Sequence, residues 1–311
     1  MITGAGALEM LDAPAPDPGP GQVRLALEGC GVCGSDLPVW AGRPWFEYPR
    51  APGAPGHEGW GTIDAVGAGV TGLREGQRVT GLAYRCYASG AVAEAGGLVV
   101  LPEALAGRPF PGEALGCAMN VFARSQIAPG NTVAVVGVGF LGTLVVQLAA
   151  RAGARVFAIS RRPFALAVAR EAGATETVGI DEPVTERVQE LTGGTLCDVV
   201  IEAAGVQRTL DVAGPLVSER GRLVIAGFHQ DGPRQVDMRL WNWRGLDVVN
   251  AHERAPAVYV EGIRAAIAAV VDGRLDPDRL YTHRFALQHL DEALRTASSR
   301  PDGFIKALVT A

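Results

Sequence analysis

The chain has 311 residues, of which 48% are apolar and 20% charged, enough for two domains and a sizeable buried core. This apolar content excludes a chain disordered throughout, and a net charge of −5 supplies no basic field for nucleic acid. The 41 glycines and 20 prolines demand many tight turns but show no G-X-Y period.

The opening MITGAGALEMLDAPAP has no basic leader and no long apolar run, so no secretory signal is expected. The five cysteines (Cys30, Cys33, Cys86, Cys117, Cys197) are odd in number and sparse, which predicts free thiols in a reducing cytoplasm. Val23, Leu25 and Leu27 alternate with Gln22, Arg24 and Glu28, the period of a half-buried strand. Gly and Pro then recur every few residues to Val79, as in a β-rich unit of short strands. The segment GEALGCAMNVFARSQI reads as a helix ended by Ala128-Pro129-Gly130.

From Thr132 onward the pattern changes. TVAVVGVG is followed by the helical FLGTLVVQLAARAGA, and RVFAIS by PFALAVAREAGA; ETVGI, CDVVIEAAG, GRLVIAGF and LDVVNA continue the strand series. Short apolar runs alternating with helices predict a parallel sheet covered on both faces, a doubly wound α/β fold. The apolar stretch from Thr132 to Ala150 is broken by three glycines and reads as strand, turn and helix rather than a membrane span. A helix over VYVEGIRAAIAAVVDG, a strand in LYTHRFAL, a helix over HLDEALRTASS and a strand in FIKALVT close the chain.

Gly137-Val138-Gly139-Phe140-Leu141-Gly142 is G-x-G-x-x-G, placed directly after a strand and opening a helix. Gly137 allows the tight turn, Gly139 the approach of a pyrophosphate, and Gly142 close helix–strand packing; the helix N-terminus offers N–H groups to phosphate. Where an NAD binder places a carboxylate, the end of the second strand reads Ser160-Arg161-Arg162-Pro163. A hydroxyl and two guanidinium groups suit a 2′-phosphate, so NADP(H) is expected rather than NAD.

Cys30-Gly31-Val32-Cys33 is C-x-x-C without a second such pair downstream, which does not support a four-cysteine zinc ribbon. Its β-rich setting also argues against a thioredoxin-type pair. Cys33 is followed by Gly34-Ser35-Asp36, and later comes Gly56-His57-Glu58-Gly59. A thiolate, an imidazole and a carboxylate are suitable zinc ligands, and Glu113 and Cys117 are candidates for a further one. Singly, each of these residues also reads as an ordinary buried or solvated side chain; their combination with a dinucleotide motif carries the metal reading.

GCGVCGSD, GHEGWGTIDAVGAGV, EGQRV and VAVVGVGFLG, in this order, resemble the zinc-dependent medium-chain dehydrogenases, and the resemblance extends to the closing GFIKALV. It implies a GroES-like β-barrel catalytic domain over about 1–119 and 253–311, split around a Rossmann domain over about 120–252, with the cofactor in the cleft between them. It further implies that Cys33 and His57 are catalytic zinc ligands, with Glu58 binding the metal or waiting beside it. By the same resemblance Glu113 is a ligand or holds the zinc-bound water, with Cys117 second to it. Asp36 orients the histidine, and Ser35 passes the substrate proton. The implied activity is hydride transfer between NADP(H) and a secondary alcohol, polyol or sugar-like substrate, in a homodimer or homotetramer.

Three departures stand out. Only Cys86 lies between Val79 and Leu101, where relatives carry a structural-zinc lobe of four cysteines, so one zinc per subunit is expected. Pro38 stands where many relatives have a relay histidine. The first residues lack the usual opening strand. Trp40, Trp45, Phe46, Tyr48, Tyr84 and Trp241 are candidates either for a substrate pocket wall or for ordinary core. The competing readings are a zinc-free NADPH-dependent enone or quinone reductase, disfavoured by Cys33 and His57, and a non-catalytic redox sensor.

Overall fold

The computed structural model describes residues 1–311. It opens with a short hairpin of β1 (Ile2–Gly4) and β2 (Ala7–Leu8). An opening strand is therefore present, contrary to the sequence expectation. It is only three residues long and set among glycines, and Ile2 alone buries it in the core. The alternating segment becomes β3 (Gln22–Gly31), with Val23, Leu25 and Leu27 turned into the core. A single turn, α1 (Leu37–Trp40), and four strands follow: β4 (Glu58–Val66), β5 (Arg78–Gly81), β6 (Gly90–Glu94) and β7 (Leu98–Val100). Helix α2 (Gly112–Ser125) carries the chain out of this region.

The next segment alternates as its sequence predicts. The strands are β8 (Thr132–Val136), β9 (Arg155–Ser160), β10 (Glu176–Gly179), β11 (Cys197–Glu202), β12 (Val217–Ile225) and β13 (Asp247–Asn250). Between them run α3 (Phe140–Arg151), α4 (Pro163–Glu171), α5 (Val184–Thr192), α6 (Gln207–Leu216) and α7 (Met238–Arg244). All strand pairs are parallel, in the order β10-β9-β8-β11-β12-β13. This is the dinucleotide-binding order, with its reversal between β8 and β11. Val133, Val135, Val156, Ile159, Val200 and Ile201 are almost fully buried, as a sheet covered on both faces requires.

The chain then returns through α8 (Pro256–Val271), β14 (His283–Ala286), α9 (Leu290–Ser299) and β15 (Ala307–Thr310). Strand β15 pairs with β3, giving a seven-stranded sheet along β14-β15-β3-β4-β5-β7, with β6 also on β3. The last residues thus complete the first sheet, and Ala297, Phe304 and Val309 share a core with Leu25 and Trp40.

Two compact units result: 1–116, 254–271 and 277–311 form one, and 117–253 with 272–276 the other. The short piece 272–276 joins the second unit because Gln147 holds Asp276 at both its N–H and its carbonyl, each at 2.8 Å. No helix is long and apolar enough to cross a membrane.

Candidate active site

The antiparallel pairing of β3 with β4 sets Gly31 opposite Glu58. The end of one strand therefore lies beside the start of the next. Cys33 leaves β3 two residues past Gly31, and His57 immediately precedes β4, so residues distant in the chain converge. Ligand atoms of Cys33, His57 and Glu58 all lie within 4.8 Å of one another. Gly31 is needed here for space: a Cβ on it would stand 1.9 Å from Glu58 Oε2 and 3.1 Å from the Lys306 stem.

Asp36 is wholly buried behind these groups. Its Oδ2 accepts the Cys33 backbone N–H at 2.9 Å and the Tyr87 hydroxyl at 2.5 Å. Its Oδ1 lies 3.3 Å from His57 Nδ1, but that nitrogen is 3.0 Å from the Pro55 carbonyl and Oδ1 has no hydrogen-bond partner. Glu58 Oε1 accepts from Lys306 Nζ at 2.8 Å, while Oε2, 2.6 Å from the same nitrogen, lacks hydrogen-bond geometry. Burial alone would lower the His57 pKa, yet Asp36 and the Cys33 sulfur beside it reverse that and hold it above the ordinary histidine value. Burial likewise opposes charge on Lys306, and Glu58, with Cys33 and Asp36 behind it, more than restores it.

These features test whether a metal fits. Three donor atoms, from Cys33, His57 and Glu58, converge, and Asp36 Oδ1, buried and without a hydrogen bond, lies 3.3 Å from His57 Nδ1. A buried acceptor of this kind is costly unless a neighbouring N–H satisfies it, as the His57 ring could once its other nitrogen holds a metal. Thiolate, imidazole and carboxylate together match the donor set of zinc, and three protein ligands leave the open position of a catalytic site. The residues present fit the ion.

Ser35 sits half-buried in the turn Gly34–Asp36, directly after Cys33. Glu113 lies in the first turn of α2, whose start is pinned by the Gly112 N–H to Thr80 Oγ1 at 3.0 Å; it is not among the three converging ligands. Cys117, one turn along, falls in the other unit. None of the five cysteines forms a disulfide.

In the second unit, Gly137 has a φ of 99°, which an L side chain adopts with strain, and a Cβ on Gly142 would meet the Gly137 carbonyl at 2.1 Å. Gly139 caps α3 with open space where its Cβ would be, so the helix start at Phe140 and Leu141 is open to approach. Ser160 ends β9, and its Oγ accepts the Arg162 N–H at 3.2 Å, folding Arg161 and Arg162 into a turn before α4.

The aromatic candidates divide. Trp40 is in the core of the first unit, Phe46 and Tyr48 pack on that core, and Trp241 packs on the core of the second. Trp45 and Tyr84 are exposed. Sequence reasoning missed two residues that shape the site, Lys306 and Tyr87. A single lysine inside the apolar run Phe304-Ile305-Lys306-Ala307-Leu308 was a readable signal, since a buried charge needs a partner. Tyr87 gave none.

Residues 19–136 match the model of the alcohol dehydrogenase GroES-like domain, and 141–266 that of the zinc-binding dehydrogenase. An alcohol dehydrogenase of Rhizobium meliloti is 31% identical over 70% of this chain and 72% of its own length. A sorbitol dehydrogenase of Halalkalibacterium halodurans is 27% identical over 99% of this chain and 96% of its own. Among solved structures, an Escherichia coli alcohol dehydrogenase complexed with NADH superposes with a TM-score of 0.87 at 26% identity, covering 100% of this chain and 98% of that one. A Sinorhizobium meliloti zinc-binding dehydrogenase bound to NADP gives 0.85 at 26%, covering 99% and 97%. The first unit split around the second in sequence, the parallel dinucleotide sheet and these matches over nearly its whole length place the chain in the zinc-dependent medium-chain dehydrogenase family, as an oxidoreductase of the alcohol dehydrogenase type.

Proposed function

We propose that the chain is an NADP(H)-dependent alcohol dehydrogenase with one catalytic zinc held by Cys33, His57 and Glu58, acting on a secondary alcohol, polyol or sugar-like substrate. The observation that carries this reading is the convergence of ligand atoms of Cys33, His57 and Glu58 within 4.8 Å of one another. When bound, the two groups supply Lewis acidity toward the alcohol oxygen and an acceptor for hydride. His57 Nδ1 faces the Pro55 carbonyl at 3.0 Å and Asp36 Oδ1 at 3.3 Å, which leaves the other ring nitrogen for the metal. Ser35 receives the substrate proton through its hydroxyl. With Pro38 in place of a relay histidine, the proton leaves to water. Glu113 stays a candidate for a further ligand on the family resemblance alone. A panel of alcohols, polyols and sugars, assayed with both nicotinamide cofactors on zinc-loaded protein, tests the reading; no turnover with any of them would sink it.

The related structures hold NADH in one case and NADP in the other, so this chain's preference is argued from its own residues. No carboxylate follows β9, and Ser160, Arg161 and Arg162 offer a hydroxyl and two cations in its place. Charge-assisted bonds contribute about 1.5–3 kcal/mol each. Arg161→Ala with Arg162→Ala is therefore expected to raise the KM for NADPH by at least about tenfold, at about 1.4 kcal/mol per decade. The KM for NADH should stay nearly unchanged; an equal rise for both cofactors would refute the assignment.

Oligomerisation is proposed through the edge of the parallel sheet. Strand β13 pairs on one side only, its Val248 is exposed, and Trp243 on the preceding helix is 87% exposed. An unpaired edge beside exposed apolar side chains invites a second copy. Sedimentation equilibrium should return a dimer or a tetramer, and a monomer at micromolar concentration would contradict this.

A further inference from the structure

We infer that Tyr87 is a positioning residue for the metal site, holding the carboxylate of Asp36 so that one oxygen is kept for His57. The inference rests on the metal reading above and adds a residue to it. Between β5 and β6 this chain has a short connection, 82–89, in place of the four-cysteine lobe. That connection is zipped to the turn preceding His57: the Tyr87 N–H donates to the Gly53 carbonyl at 3.0 Å, and the Cys86 N–H to the Gly56 carbonyl at 2.9 Å. Two glycines make the contact possible. A Cβ on Gly56 would stand 2.7 Å from the Tyr87 backbone nitrogen, and one on Gly53 2.1 Å from the Arg85 carbonyl. The tyrosine ring is thereby carried into the core beside Asp36, where Tyr87 is buried.

The division of labour on Asp36 follows from its contacts. Oδ2 takes both the Cys33 N–H and the Tyr87 hydroxyl, so it is saturated. Oδ1 accepts nothing and points at His57 Nδ1, 3.3 Å away. With two donors fixing Oδ2, the carboxylate cannot turn Oδ1 aside, and it stays beside His57 Nδ1 as a charged neighbour at 3.3 Å, next to the Pro55 carbonyl at 3.0 Å. Removing the hydroxyl leaves Asp36 one donor fewer and free to rotate about Cβ–Cγ.

The test is a chelator-competition titration of zinc into wild type and Tyr87→Phe, with the visible spectrum of the cobalt-substituted proteins as a second readout. Outer partners of metal ligands typically shift affinity by about 10–100-fold when removed. Tyr87→Phe is expected to bind zinc about tenfold more weakly, with an altered cobalt spectrum, while its metal-free form keeps the wild-type circular dichroism spectrum at room temperature. Equal zinc affinity and an unchanged spectrum would overturn the inference alone. A wild type that binds no zinc would overturn it together with the metal reading. A second measurement needs no variant: in wild-type protein labelled at tyrosine Cζ, a buried tyrosine resonance should shift on zinc loading, and constancy of all five tyrosines counts against the inference.

Discussion

Cys33→Ser and His57→Ala are each expected to cut alcohol turnover to about 1% or less and to strip the zinc. A bound divalent ion contributes several kcal/mol of charge stabilisation at the reacting oxygen. At about 1.4 kcal/mol per decade, losing it lowers kcat/KM by about 10²–10³-fold or more. Neither change removes a structural prop: both residues are half-buried, and the wall behind them is built by Asp36, Glu58 and Lys306. Secondary structure and NADPH binding should therefore survive, as circular dichroism and cofactor fluorescence would report. Near-wild-type turnover in either variant would remove the thiolate–imidazole pair from the chemistry.

Lys306→Met should be the most destabilising single change at the site. Lys306 and Glu58 are both buried, and they face each other at 2.6–2.8 Å. Removing one partner of such a pair leaves an uncompensated buried charge and costs about 3–5 kcal/mol, whereas replacing both by uncharged groups of similar volume is often near neutral. In metal-free protein, urea unfolding should show that loss for Lys306→Met and a much smaller one for Lys306→Met combined with Glu58→Gln. A single variant as stable as wild type would mean that the ammonium does not hold the Glu58 carboxylate. The same ion pair fixes Glu58 beside Cys33 and His57, so the single variant should also bind zinc differently from wild type.

Much of this was legible in the sequence because the signals were local. The alternation of Val23, Leu25 and Leu27 marked β3, and the apolar runs of Val133–Val136 and Val199–Ile201 marked buried parallel strands. Gly137 and Gly142 were readable because the turn and the close approach each exclude a side chain. Cys33, His57 and Glu58 were readable as a ligand set. Their convergence depended on a strand register, Gly31 opposite Glu58, that no local pattern dictates. Lys306 and Tyr87 escaped for the same reason. Lys306 reaches Glu58 only because β15 pairs with β3 across the length of the chain, and Tyr87 reaches Asp36 only through a short connection folded onto the 53–56 turn. Hairpin β1–β2 escaped because two and three residues are too few to show a period. Trp40 and Trp241 could not be assigned as core or pocket, since an aromatic ring serves both and only packing decides.

Zinc-edge X-ray absorption on the metal-loaded chain tests the metal centre most directly. The arrangement of Cys33, His57 and Glu58 predicts one sulfur scatterer per zinc at about 2.3 Å, with nitrogen and oxygen neighbours at about 2.0–2.2 Å. A coordination shell without sulfur, or with several sulfurs, would contradict it.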